Sequence, residues 1–263
     1  MRVFAVSDIH IDYEENRRWL YNLSRFDFKD DILILPGDVS DILSALENAL
    51  AWLKQLFREV MFVPGNHDLW VCRNSIDDSL EKYQQIRILC DDCGIRMRPL
   101  HVGPLSIVPL EGWYDYSFGP PSPEILSSWS DFMACKWPEE FTEKRITDYF
   151  ISKNEASLEV RNHCIVSFSH FLPRIDLMPH FIPVDKQKLY PVLGTSLLEE
   201  QVRCLGAHIH IYGHSHLNIK TSLEGTLYIN NAFGYPYERN IAAKELVCVF
   251  DSDDFSSAGT GTR

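Results

Sequence analysis

Five short stretches place metal-binding side chains directly after runs of apolar residues. They are "SDIH" with Asp8 and His10, "GDVSD" with Asp38, "GNHD" with Asn66, His67 and Asp68, "FSH" with His170, and "GHSH" with His214 and His216. Singly, each has an ordinary explanation: a turn, a buried histidine with satisfied nitrogens, or two solvated imidazoles. Five in order, each closing an apolar run, point to convergence on one place. Sites in α/β sheets form just beyond the carboxyl ends of the strands. The glycines before Asp38, Asn66 and His214 permit sharp turns and close backbone approach. Mixed imidazole, carboxylate and amide donors suit manganese, iron or zinc rather than calcium or a thiolate-seeking metal.

Positioning such groups calls for alternating strands and helices, and the first half reads that way. "RVFAVS", "DILILP" and "VMFVP" are strands, and "ENRRWLYNLSRF" is a helix with Trp19, Leu20 and Leu23 at helical spacing. The clearest amphipathic helix is "DILSALENALAWLKQLF", with Leu43, Leu46, Leu50, Leu53 and Phe57 on one face. Short strand–helix–strand connections predict parallel pairing with right-handed crossovers. Beyond lie a helix near 75–90, a hairpin around Gly103 and Pro104, a helix near 139–160 and the strand "CIVSFSH". A helix near 195–204, the strand "HIHIYGHSH", a hairpin across Glu224 and Gly225, and the strand "ELVCVF" follow. His208 and His210 alternate with Ile209 and Ile211, so they share a face and are expected to pack or hydrogen-bond rather than ligate.

Residues 111–140 are dense in aromatics and proline with no clean period, the pattern of a lid or insertion. Trp113, Tyr114 and Tyr116 are candidates for a substrate-pocket wall, with a satellite core as the equal alternative. The expected organisation is one domain over 1–250 containing this insert, then a small, polar, acidic end at 251–263 that reads as disordered.

Composition narrows the partners. Lys and Arg total 25 against 37 Asp and Glu, a formal charge of −12, and this repels polyanions and argues against nucleic acid. The seven cysteines are scattered, and Cys90 and Cys93 have no second pair to complete a zinc site, so free thiols are expected. The chain shows no basic leader followed by an apolar run and no segment long enough to span a bilayer, so the expected location is cytoplasmic, without membrane contact.

The order Asp-x-His, Gly-Asp, Gly-Asn-His-Asp, His, Gly-His-x-His resembles that of the calcineurin-like metallophosphoesterases, over about residues 2–250 apart from the insert. The resemblance implies a four-layer α/β/β/α sandwich and a hydrolase of phosphate esters that uses two divalent ions. Carried over by motif, it implies that Asp8, His10 and His216 bind one metal and Asn66, His170 and His214 the other. Asp38 bridges them, and His67, oriented by Asp68, lies beside the leaving group. Two such ions clamp a phosphate and lower the pKa of a bridging water. The resulting hydroxide attacks phosphorus in line while His67 assists the departing oxygen. "GDVSD" departs from the Asp-Arg-Gly of the family's serine/threonine phosphatases, and His67 stands where its lipid A-pathway pyrophosphatases have Arg. A small-molecule phosphomonoester or phosphodiester is therefore the expected substrate. A cyclic-nucleotide phosphodiesterase, a nuclease and a non-catalytic metal-binding scaffold are the alternatives. Arg73 and Asn74, soon after "GNHD", are candidate substrate contacts, a surface role being the other reading.

Overall fold

A computed structural model describes residues 1–253. The first half alternates as expected: β1 (Arg2–Ala5), α1 (Glu14–Tyr21), β2 (Ile32–Pro36), α2 (Leu43–Leu56), β3 (Glu59–Val63) and α3 (Ser79–Cys93). The three strands run parallel, with Val3 opposite Ile32 and Ile34 opposite Met61. Helix α2 buries Leu46, Ala49, Leu50, Leu53 and Leu56 at helical spacing, and Phe57 is buried just beyond its end. Helix α3 starts later than the spacing suggested. The Asp78 side chain accepts from the Glu81 N–H at 2.8 Å, and a left-handed Gly94 stops it.

The hairpin follows as β4 (Leu100–Val102) and β5 (Leu105–Pro109), and then the aromatic segment. That segment holds two short helices, α4 (Pro123–Ser128) and α5 (Asp131–Ala134). Next come α6 (Glu143–Ser152), β6 (Cys164–Phe168), α7 (Val184–Gln187), α8 (Ser196–Leu205), β7 (Ile209–Tyr212), β8 (Ile219–Leu223), β9 (Thr226–Asn230) and β10 (Val247–Asp251). The helix expected over 139–160 is only α6, because the chain tightens into a 3-10 turn at Glu155–Glu159.

Two sheets result, ordered β10-β1-β2-β3 and β4-β5-β6-β7-β9-β8. In the second, β5, β6, β7 and β9 are parallel and the edge strands β4 and β8 antiparallel. Side-chain alternation explains the layering. Val3, Ala5, Ile32, Ile34 and Met61 from the first sheet meet Ile107, Val166, Phe168 and Ile211 from the second in one buried cluster. The opposite faces, with Phe4, Leu33, Leu35, Val60 and Phe62, pack against helices. This is the four-layer α/β/β/α sandwich.

Strand β10 extends through Asp251, and the Ser252 N–H donates to Met1 O at 3.0 Å, so the edge of the first sheet takes in the start of the expected tail. Residues 254–263 of that tail lie outside the described residues. Among the described residues no helix is long and apolar enough to cross a membrane, and the seven cysteines are free.

Candidate metal centre and active site

The first three strands of one sheet and β6 and β7 of the other end at one place, and their ends share an unusual backbone. Among the described residues eight non-glycine residues have positive φ, and five of them are Asp8, His10, Asp38, His214 and His216, at 45–65°. Left-handed backbone at a non-glycine residue costs about 1–3 kcal/mol and persists where the surroundings impose it. Here it breaks the pleat, so that residues two apart turn toward the same point. Two glycines let the loops close on each other. A Cβ on Gly37 would strike the Gly65 backbone, and one on Gly65 would strike Asp38 Oδ1 and the His170 ring.

The donor atoms form two groups that share Asp38. One is Asp8, His10, Asp38 and His216, and the other Asp38, His170 and His214, the atoms in each group lying within 4.8 Å of one another. His216 Nε2 is 3.1 Å from His10 Nε2 and 3.2 Å from Asp8 Oδ1. His170 Nε2 is 2.9 Å from Asn66 Oδ1, 3.1 Å from His214 Nδ1 and 3.6 Å from Asp38 Oδ2. Asn66 thus joins the second group through its amide oxygen.

Outer hydrogen bonds decide which ring nitrogens carry protons, and this tests whether the cluster suits metal ions. His170 Nδ1 donates to Pro36 O at 2.9 Å, and His214 Nε2 donates to Val192 O at 3.0 Å. Each neutral ring therefore presents a bare lone pair at its other nitrogen, and those two nitrogens face each other across 3.1 Å. His216 likewise gives Nδ1 to the Glu238 carboxylate at 2.7 Å and turns Nε2 to the cluster. Converging lone pairs repel unless a cation lies among them, and an imidazole whose far N–H is held by a carbonyl or carboxylate is the usual metal-ligand arrangement. The residues fit two divalent ions.

Burial sets the electrostatics. It pushes His170 and His214 down to about 4, keeping both neutral. Burial, with Asp8 and Asp68 nearby, drives the Asp38 carboxyl well above its usual range. At Asp8 burial acts upward, but the His216, His170 and His10 rings hold its carboxyl below the ordinary value. Burial lowers His216 too, but Asp8 and Glu238 outweigh it and push the ring up to about 9. Such crowding of carboxylates is relieved by positive charge at the point they share.

His67 lies at the open side of the cluster. Its ring stacks on Trp70 with centroids 3.6 Å apart, and Nε2 is 3.3 Å from the Tyr235 hydroxyl and 3.9 Å from Asp38 Oδ2. Asp68 does not orient this ring, contrary to the sequence reading. Its carboxylate accepts backbone N–H groups of Asp38 at 2.7 Å, Gly65 at 2.9 Å, Val39 at 3.0 Å and Ser40 at 3.1 Å. The main chain after β2 turns these N–H groups inward, and Asp68 ties the Asp38 loop to the Gly65 loop. Burial raises Asp68 to about 6, with those four N–H groups opposing the rise.

The candidate substrate contacts divide between the alternatives the sequence leaves open. The Asn74 side chain accepts from Leu43 N at 3.0 Å and donates to Asp41 O at 2.7 Å, which holds it as a brace at the start of α2. Arg73 grips Asp41 and Asp12, the latter at 2.7 Å, on the rim near His10. Trp113 and Tyr114 are buried against Phe171, and Trp113 also meets Trp137 edge-on at 5.2 Å. They line a separate cavity of about 700 Å³ that holds none of the candidate metal ligands. Tyr116 packs at its ring against Tyr114, 6.1 Å between centroids. Trp113 and Tyr114 are core here and Tyr116 packs partly buried at its edge, because apolar area this large is buried first against the nearest apolar surface.

Other residues take their places at the site. Trp70, Trp129, Asp131, Tyr235 and Glu238 line the cleft over Asp38 and Asn66. Tyr235 and Glu238 follow β9, which pairs with β7 in parallel register, so the strand-end rule applied to "YINNAFGYPYE" would have reached them. His210 bonds Ser167 Oγ at 2.8 Å and Ser169 Oγ at 3.1 Å, and His208 Nδ1 accepts from Ile165 N at 3.3 Å, which places both away from the donor groups.

Two cavities open onto the cluster. One of about 600 Å³ is lined by His10, Asp12, Tyr13, Arg73 and Met133, and one of about 260 Å³ by Asp38, Asn66, Trp129, His214 and His216. They meet at His67, Trp70, Ser130 and Tyr235.

The model of the calcineurin-like phosphoesterase family matches residues 1–218. The chain is 26% identical over 268 residues to the acyl-carrier-protein phosphodiesterase PptH of Mycobacterium tuberculosis, an alignment that spans 90% of this chain and 78% of the relative. Its fold superposes on the crystal structure of phosphopantetheinyl hydrolase from the same organism with a TM-score of 0.81, at 24% identity, covering 96% of this chain and 97% of the other.

Proposed function

The chain belongs to the calcineurin-like phosphoesterase family and is a metal-dependent hydrolase of phosphate esters, and on that premise we propose that it is a phosphodiesterase. Asp8, His10, Asp38 and His216 would hold one ion, and Asp38, Asn66, His170 and His214 the other. The donors suit manganese, iron or zinc. Divalent ions held there would supply Lewis-acid chemistry, polarising phosphoryl oxygens and activating water at neutral pH.

The chain's own residues supply the rest. Asp38 contributes its carboxylate to both donor groups, so its loss would affect both. Trp70 fixes the His67 ring by stacking, and burial lowers that ring's proton affinity well below the usual value, so the ring is neutral near pH 7 and assists by donating an N–H hydrogen bond. In this reading His67 Nε2 meets the departing oxygen, with the Tyr235 hydroxyl beside it as a further donor.

The two-armed cleft is the observation that carries the diester reading. A phosphomonoester has one substituent to house; a diester has two, and two cavities join beside His67. The larger arm has Tyr13 and Met133 at its rim, 41% and 70% exposed, beside the ion-paired Asp12, Asp41 and Arg73, a mixed border with room for an extended chain. Similarity to PptH along most of the chain supports a carrier-protein phosphopantetheinyl diester as substrate. The net charge of −12 disfavours a nucleic-acid diester.

Steady-state kinetics of the metal-reconstituted protein test this reading on four substrates: an aryl phosphomonoester, a bis-aryl phosphodiester, a cyclic nucleotide and a phosphopantetheinylated carrier protein. The expected order of kcat/KM puts the carrier protein first and the aryl diester above the monoester. Preference for the monoester refutes the diester reading, preference for the cyclic nucleotide refutes the carrier-protein substrate, and no turnover with metals bound returns the protein to a scaffold role.

A further inference from the structure

Asp131, at the start of α5 in the aromatic insert, is 2% exposed, and no Lys or Arg among the described residues pairs with it. A buried carboxylate without a cation is costly unless its oxygens are fully engaged. Its partners are all neutral side chains. Oδ1 accepts from Asn66 Nδ2 at 2.8 Å and from Trp70 Nε1 at 2.7 Å, and Oδ2 accepts from Trp129 Nε1 at 2.8 Å.

Each of these partners bears on the site. Asn66 presents Oδ1 to His170 Nε2 at 2.9 Å. Because Asp131 holds the amide nitrogen, the oxygen must face inward. A flipped amide would aim N–H groups at the bare nitrogen of His170 and leave Asp131 facing an oxygen. Trp70 carries the stacked His67 ring, and Trp129 meets the His214 ring edge-on at 6.1 Å. One carboxylate therefore bears on Asn66 and His214 on the metal side and on His67 on the leaving-group side.

We propose that Asp131 is a positioning residue through which the aromatic insert presets the Asn66, His170 and His214 half of the metal centre. The proposal rests on the dinuclear reading above and assigns the insert a task that reading does not need. Losing an outer partner of a metal ligand typically weakens metal binding about 10- to 100-fold. Asp131→Asn should therefore split the titration. The half-site built on Asp8, His10 and His216 keeps its affinity, the other weakens by about that factor, and kcat falls more than KM changes. Trp137→Phe changes the aromatic core of the same segment, where Trp137 meets Trp113 edge-on at 5.2 Å, and spares the three Asp131 bonds, so its metal affinities should stay near wild type.

Calorimetric titration of metal-free wild type, Asp131→Asn and Trp137→Phe with Mn²⁺ decides the matter, and circular dichroism checks folding. A general structural role would lower the stability of the metal-free protein and weaken both half-sites alike, which overturns the proposal. Wild type that binds fewer than two ions overturns the dinuclear reading and this one with it. Two ions in wild type and an unchanged isotherm in Asp131→Asn overturn this one alone. If Asp131→Asn does not fold, side-chain amide NMR of metal-free wild type still tests the idea. The Asn66 amide pair should be well dispersed and protected before metal is added, and an averaged, rapidly exchanging pair would refute it.

Discussion

Glu238 offers a sharp test of how the first half-site is held. One carboxylate oxygen, Oε2, takes both the His216 Nδ1 proton and the Tyr235 N–H, each at 2.7 Å. Glu238→Ala removes the group that holds Nδ1 of His216 and turns Nε2 to the cluster. Comparable losses weaken metal affinity about 10- to 100-fold, or about 1.4–2.7 kcal/mol. Glu238→Gln should fall between, because an amide oxygen can still accept the Nδ1 proton but without charge assistance. The control is Lys244→Met. Lys244 ties down the carbonyls of Phe233, Gly234 and Tyr235, the last at 2.6 Å, so its loss loosens the same turn without touching His216. Competition titration of the metal-free proteins with Zn²⁺ at pH 7.5 measures the effect, and histidine NMR should show the His216 ring titrating at lower pH in Glu238→Ala. Wild-type affinity in Glu238→Ala refutes the reasoning. So does an equal loss in Lys244→Met, since the turn and not the carboxylate would then be responsible.

His67→Ala should retain both ions while kcat drops about 10²- to 10⁴-fold, with a smaller deficit for a 4-nitrophenyl leaving group; a deficit independent of the leaving group contradicts the assigned role. Gly65→Ala drives a methyl group into Asp38 and the His170 ring, so metal content by plasma mass spectrometry should fall in a protein that still folds. Burial holds His210 down at about 3 against about 6.5 in the unfolded chain, so its contribution to stability is present above pH 6.5 and is lost as acid protonates the unfolded chain first. Urea midpoints should reveal about 1.2 kcal/mol lost between pH 7 and 5.5 from this residue, a component missing in His210→Asn. Trp113→Ala, a buried deletion that typically costs about 3–5 kcal/mol, should lower the melting temperature while leaving the ranking of substrates unchanged.

The donors at the strand ends were readable because each follows an apolar run that can only be a buried strand, and chain order alone brings such ends together in a parallel sheet. The helices were readable for the same reason: Leu46, Leu50 and Leu53 recur at helical spacing and bury one face. The division of the strands between two sheets was not visible in the run lengths, since both faces of β2 and of β6 are buried and period-two alternation disappears. Asp68 was misassigned because adjacency in sequence suggested a partner for His67, whereas its carboxylate is captured by N–H groups of the loop after β2. Asp131 and its bond to Asn66 span 65 residues through a segment without periodicity, and no local pattern announces such a contact. Trp113 and Tyr114 show the converse. Aromatic density singled out residues 111–140 but could not say which rings face the cleft, and Trp70 and Trp129 do so instead.

The most direct test of the central claim is a metal count with turnover on the same sample. Wild type and Asp38→Asn are loaded with excess Mn²⁺, desalted, analysed by plasma mass spectrometry and assayed on a bis-aryl phosphodiester. Asp38 belongs to both donor groups, so the account predicts two ions per wild-type chain, and at most one with turnover nearly abolished in Asp38→Asn. A single ion in wild type, or two ions with undiminished turnover in Asp38→Asn, would contradict it.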